Sequence, residues 1–143
     1  IKEKLEDRNI NINYVENIKI VPYIYNMEEV MNISDLIVSR SGAMTITEIS
    51  NLGKPSILIP LPNVSGDHQT YNAKVLENQK AAKIIKNEEL NGTNLNETIK
   101  EIILDRNKKE KMGKNALKVS TTNVEKKIYE EIQRLVNSNK EGK

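Results

Sequence analysis

A chain of 143 residues with 37% hydrophobic and 29% charged side chains has room for one soluble domain with a core of its own. Its 22 basic and 20 acidic residues nearly cancel to a net charge of +2, which indicates no strong polyanion field, and five Tyr without Phe or Trp offer no stacking platform, so nucleic acid is not an expected partner. The lack of cysteine excludes disulfides, a thiol nucleophile and Cys-based metal sites.

No apolar run approaches membrane-spanning length and no signal peptide is visible. Ile1 falls inside what reads as the end of a charged amphipathic helix, Ile1 to Arg8, so a truncation point is expected there. Asn9 to Asn17 reads as a connection. Ile18 to Ile24 reads as a strand leaving into a loop at Pro22, and Tyr25 to Ile33 as a short helix. Leu36 to Ser39 reads as a buried strand, followed by a Ser-Gly turn and a helix to about Leu52. Gly53 is the expected left-handed cap of that helix, and Pro55 forbids its continuation.

Ser56 to Pro60 is the third expected strand, and the loop Leu61 to Gly66 is expected to be mobile. Asp67 is a plausible N-cap for a helix running to about Gln79, and Ala82 to Ile85 is a fourth strand. Leu95, Ile99, Ile102 and Ile103 share one helical face, and Val124, Ile128, Ile132 and Leu135 another. A short helix around Lys108 to Leu117 lies between them with a solvated, charged face, and the tail after Asn137 is expected to fray. Alternating strands and helices predict an α/β fold with a Rossmann-like parallel sheet and flanking helices.

In such sheets ligands bind beyond the carboxyl ends of the strands. Three polar segments lie at those ends: the loop after Ile24, the turn at 41–45, and the loop and helix start at 66–72. The turn is the sharpest of them. At Ser41-Gly42 a strand hands over to a helix whose first N–H groups lack internal partners and carry partial positive charge, which suits an anion. Gly42 lets a phosphate approach the backbone, and Glu48 can accept from ribose hydroxyls. Two plainer readings stand beside this one: Ser and Gly as turn residues only, and Thr45 to Glu48 as a capping box.

His68, the single histidine, has no second ligand at metal spacing, and no Asp-x-Asp pair exists to hold a metal–diphosphate. Gln69 and Asn72 face one side of their helix and suit either sugar hydroxyls or local hydrogen bonds. Neither a Walker A sequence nor G-x-G-x-x-G is present. The residues offer a binding site, and no catalyst is visible among them.

These segments resemble the C-terminal half of the MurG family, bacterial N-acetylglucosaminyltransferases of the two-domain GT-B fold. The likeness rests on Val21-Pro22-Tyr23-Ile24 with Met27, on Ser39-Arg40-Ser41-Gly42-Ala43-Met44-Thr45 with Glu48, and on Asp67-His68-Gln69-Thr70 with Asn72-Ala73. The resemblance implies that residues 1–143 are a partial donor-binding domain lacking its first strands, with 94–137 as its C-terminal helices. It implies that the backbone at Ile24 holds uracil, that Glu48 binds the ribose, that Gly42, Ala43, Met44 and Thr45 meet the diphosphate, and that Gln69 with His68 touches the sugar. The family transfers GlcNAc from UDP-GlcNAc to lipid I with inversion, giving lipid II at the cytoplasmic face of the bacterial plasma membrane. UDP-GlcNAc is then a donor substrate, and no cofactor or metal is expected. Catalytic residues, the lipid I acceptor site and the peripheral membrane contact are expected in an N-terminal half. The family's glycine-glycine-serine-like turn is absent here. The alternatives are a donor-binding subunit of a split transferase, another GT-B lipid glycosyltransferase (against which the Asp-His-Gln stretch argues), and a structural domain without a ligand.

Overall fold

The computed structural model describes residues 17–62 and 67–120. Within them, strands β1 (Ile37–Ser39), β2 (Ser56–Leu58) and β3 (Ala82–Ile84) form a parallel sheet in the order β1-β2-β3. Helix α1 (Met27–Ile33) precedes β1, and α2 (Ala43–Asn51) and α3 (His68–Asn78) fill the two crossovers. After β3 come a 3₁₀ turn at Asn87–Glu89 and helices α4 (Gly92–Ile103) and α5 (Arg106–Val119). The expected α/β architecture is therefore present.

The register explains how the core divides. Ile37 pairs with Ser56 and Ser56 with Ala82, while Val38 pairs with Ile57 and Ile57 with Lys83. Side chains alternate across a strand, so these two rows face opposite ways. On one face Leu58 and Ala82 pack with Met31 of α1, Ile49 of α2, and Ala73 and Leu76 of α3. On the other, Ile57, Ile59 and Ile85 pack with Ile102 of α4, joined by Leu95 and Ile99. Ile49, Ile57, Leu58, Leu76 and Ile102 are fully enclosed, each worth about 1.5–3 kcal/mol of transfer free energy.

Helix α5 joins the two halves of this core. Met112 belongs to the second cluster and Ala116 to the first. Between them Gly113 lies so close to the turn after α2 that a Cβ would stand 2.6 Å from the Gly53 carbonyl oxygen. Gly53 is itself left-handed, with φ +61°, and the Lys54 N–H reaches back to the Ile49 carbonyl at 3.0 Å, which ends α2 as its Gly-Lys-Pro sequence foretold. Asp105 caps α5 by accepting from the Lys108 N–H, and Lys109 pairs with Asp35 at 2.6 Å beside the start of β1. Asn91 caps α4 by accepting from the Asn94 N–H.

Several expectations change. Ile18 to Ile24 is not a strand; Ile18, Val21 and Tyr23 are exposed, and among the described residues the run has no ladder partner with which to pair its backbone. The short helix at 108–117 is a 14-residue helix, because beside Met112 its inward face is built from Gly113 and Ala116, small residues that a search for large apolar ones passes over. Ile103 lies half outside the α4 face on which it was expected. The first helix at Ile1 to Arg8, the apolar face Val124 to Leu135, the tail, and residues 63–66 of the expected loop lie outside the described residues.

Gly113→Ala is expected to cost about 1–3 kcal/mol in denaturant unfolding, because the Gly53 carbonyl is backbone and yields poorly. Gly92→Ala, where a Cβ would meet nothing within 4 Å, is expected to be neutral or slightly stabilising. Acid has its own effect on α5. Hydrogen bonds from Lys109 and Lys108 hold the Asp35 and Glu101 carboxyls below their ordinary range. Carboxylates lowered on folding stabilise above their unfolded pKa, and that share is lost as pH falls through the lowered value. Melting temperatures followed from neutral to acid pH should drop through the carboxylate range, less steeply in Asp35→Asn.

Candidate functional site

Beyond the carboxyl end of β1 the chain turns through Arg40, Ser41 and Gly42 into α2. Ser41 is completely buried. Its Oγ donates to the backbone carbonyl of Gln69 at 2.8 Å, and Asn72 Nδ2 donates back to the Ser41 carbonyl at 3.1 Å. Gln69 Oε1 accepts from the Leu61 N–H at 3.0 Å. The turn at 41–45, the loop after β2 and the start of α3 are thus one hydrogen-bonded assembly, so two of the three expected segments converge. Among the described residues no hydrogen bond joins Ile24, half-buried ahead of α1, to either of them.

The turn delivers an uncapped helix start. Gly42 occupies the N-cap position with φ −63° and ψ 150°, and no side chain caps the first turn. The N–H groups of Ala43, Met44 and Thr45 therefore point outward without helical partners, at the positive end of the helix dipole. Because α2 begins at Ala43, Thr45 sits inside its first turn, and the Thr45–Glu48 capping box does not form. Glu48 is exposed, and its carboxylate makes no hydrogen bond or ion pair with any described residue. Met44 is 79% exposed one turn before it.

Gly42 carries information through what it lacks. Its φ is one that any residue adopts, and a Cβ there would find its nearest atom, Thr45 Oγ1, 4.0 Å away. Neither backbone geometry nor packing requires glycine at this position. What its missing side chain provides is clear space directly over the N–H groups of α2.

The start of α3 departs from expectation. Asp67 stands at the N-cap position but adopts a left-handed conformation, φ +52°, and its carboxylate caps nothing. N-capping geometry requires an extended backbone at that residue, and the left-handed one turns the side chain away. His68 is exposed as the first helical residue, and Gln69 is half-buried with its amide oxygen occupied and its amide nitrogen without a partner among the described residues.

Arg40 has a role that the sequence reading left unassigned. Its Nη1 donates to the Ile59 carbonyl at 3.1 Å, to the Pro60 carbonyl at 3.4 Å and to Asn87 Oδ1 at 2.8 Å. One guanidinium thereby ties the segments leaving all three strands. The signal available was a lone cation between a strand end and the Ser-Gly turn. Among the described residues no group of three His, Cys, Asp or Glu could hold a metal ion, and no helix is long and apolar enough to cross a membrane.

Comparison with known proteins places this arrangement. The family model described as the glycosyltransferase family 28 C-terminal domain matches residues 2–132. A protein of Acetivibrio thermocellus is 43% identical over 126 residues, covering 88% of this chain and 34% of its own length. One of Leuconostoc citreum is 45% identical over 123 residues, covering 86% of this chain and 33% of its own. Both are named UDP-N-acetylglucosamine–N-acetylmuramyl-(pentapeptide) pyrophosphoryl-undecaprenol N-acetylglucosamine transferase. The crystal structure of Acinetobacter baumannii MurG superimposes with a TM-score of 0.75 at 29% identity, covering 93% of this chain and 39% of that one. The chain spans about a third of the length of the curated relatives it matches.

Ser41→Ala removes a donor from a sealed site and leaves the Gln69 carbonyl with only its helical partner, at an expected cost of about 0.5–1.5 kcal/mol in unfolding free energy. Asn72→Ala should cost a similar amount. Because both ties hold one junction, the double variant should lose less than the sum of the single losses. Additive losses would show that the two bonds act separately.

Proposed function

The chain belongs to the glycosyltransferase family 28 C-terminal domains, and from that membership we propose that it is the donor-binding half of an enzyme that moves GlcNAc from UDP-GlcNAc to lipid I, forming lipid II. The observation that carries this reading is the open helix start. Gly42 leaves the N–H groups of Ala43, Met44 and Thr45 uncovered, and one turn further on the same helix presents an exposed, unpaired carboxylate at Glu48. A nucleoside diphosphate has the matching pair of groups, an anionic diphosphate and a ribose with two hydroxyls.

In the proposed reaction the acceptor's 4-hydroxyl oxygen attacks the anomeric carbon from the face opposite the diphosphate. The new C–O bond forms as the bond to UDP breaks, so the configuration inverts. UDP leaves with the electron pair, and the hydroxyl proton passes to a base expected outside these 143 residues. Charge grows on the diphosphate as it leaves, and the preorganised dipole of α2 faces that charge. Glu48 fixes the ribose, and the amide nitrogen of Gln69, with His68 beside it, addresses the sugar. The backbone of Ile24, for which no hydrogen bond is found among the described residues, is assigned to uracil. The acceptor and a peripheral contact with the cytoplasmic face of the plasma membrane are assigned to the remaining two-thirds of the protein. The chain alone is accordingly expected to turn over no lipid I.

Glu48 provides the test. A carboxylate holding two ribose hydroxyls contributes about 1.5–3 kcal/mol per hydrogen bond lost. Glu48→Ala, in a polypeptide carrying both halves, should weaken UDP binding by roughly tenfold to a hundredfold or more in calorimetric titration. Its melting temperature without ligand should stay level or rise, since Ala is the better helix former. An unchanged dissociation constant would refute the ribose assignment.

A further inference from the structure

Gln69 is held twice, once by its backbone and once by its side chain. Its carbonyl accepts from Ser41 Oγ at 2.8 Å, and its Oε1 accepts from the Leu61 N–H at 3.0 Å. A glutamine amide has an acceptor oxygen on one side and two N–H donors on the other, and either can be turned toward a ligand. The Leu61 N–H requires the oxygen, so the NH2 group is the part left for a ligand. Leu61 stands between Pro60 and Pro62 and therefore carries the one backbone N–H of that stretch. Directly before it, the carbonyls of Ile59 and Pro60 accept from Arg40 Nη1 at 3.1 Å and 3.4 Å. Asn87 Oδ1, at 2.8 Å, fixes the same guanidinium from the side of β3.

We propose that Arg40 is a positioning residue for the donor sugar: by holding the Ile59 and Pro60 carbonyls it sets the Leu61 N–H, which keeps the Gln69 amide turned with its NH2 group toward an acceptor oxygen of the sugar. The proposal rests on the donor reading of the site and deepens it. A long, flexible amide loses rotamer freedom when it binds, and a partner that fixes it beforehand removes that cost from the binding step. Hydrogen bonds from a charged donor suit this task, because they are shorter and stronger than neutral ones. The planar guanidinium reaches two carbonyls and an amide from a single nitrogen, whereas a lysine ammonium is a point charge on a loose stem. Arg40 acts here through geometry, and its charge alone does not replace it. Its influence falls on the sugar, since the phosphate-facing N–H groups of α2 and the Glu48 carboxylate lie outside this relay.

The test is calorimetric titration of a polypeptide carrying both halves, with UDP and with UDP-GlcNAc. The ratio of the two dissociation constants measures what the sugar adds. Arg40→Ala should move that ratio against UDP-GlcNAc by about fivefold to tenfold, and Arg40→Lys should move it nearly as far. Gln69→Ala should give a shift of the same size, and adding Arg40→Ala to it should change the ratio little further, because both act on one contact. Asn87→Ala leaves the two carbonyl bonds in place and should have a smaller effect in the same direction. Should Arg40→Ala fail to fold, as its melting curve would show, Arg40→Lys and Asn87→Ala carry the comparison. Equal weakening of UDP and UDP-GlcNAc, or full rescue by Arg40→Lys, would make Arg40 a plain cation beside the diphosphate and overturn the proposal. So would an unmoved ratio, or shifts from Arg40→Ala and Gln69→Ala that simply add. A wild-type protein that binds neither ligand would overturn the donor reading itself, and this proposal with it.

Discussion

The carboxyl end of this sheet depends on one sealed hydroxyl. Ser41 is fully buried and donates to a carbonyl in the first turn of α3, while its own carbonyl receives the Asn72 amide. Each group, had it no partner, would carry the full cost of its desolvation, so the arrangement resists partial opening. The result is that α2 and α3 start in fixed relation to each other. Two strand-to-helix junctions, far apart in sequence, behave as one rigid rim. Arg40 extends that rim to the turn after β3, and the open helix start at Gly42 hangs from it.

The two ends of the sheet have been given opposite characters by short stretches of chain. The carboxyl end is polar, uncapped and nearly free of side-chain bulk at Gly42. The amino end is crossed by α5, which contributes Met112 to one core cluster and Ala116 to the other and turns its lysines outward. A helix that bridges two cores needs close contact, and Gly113 against the Gly53 carbonyl provides it. This is why a helix so poor in large apolar residues is still firmly part of the fold.

Much of this was legible in the sequence. Short β-branched runs separated by helical spacing indicated the parallel sheet, and Gly53-Lys54-Pro55 marked the end of α2. The turn at Ser41-Gly42 stood out because strand, small residues and helix follow in immediate succession. What could not be read depends on partners distant in the chain. Ile18 to Ile24 has strand composition, but strands exist only as ladders. Asp67 has capping chemistry, but its left-handed backbone aims the carboxylate elsewhere. The reach of Arg40 to Ile59, Pro60 and Asn87 is purely tertiary. The inward face of α5 escaped notice because glycine and alanine pack by closeness rather than by bulk.

The two fixings of α2 make it a strut. At its carboxyl end the left-handed Gly53 is trapped under α5, and at its amino end the Ser41 tie seals the entrance. Nine residues at helical rise give a rod about 14 Å long, held at both tips. Such a rod transmits axial displacement with little loss, since a hydrogen-bonded helix compresses poorly. A push of a few tenths of an ångström where Gly113 meets Gly53 would therefore arrive at the N–H groups over Gly42. The position of the N–H groups over Gly42 is set partly by a glycine contact a full helix length away.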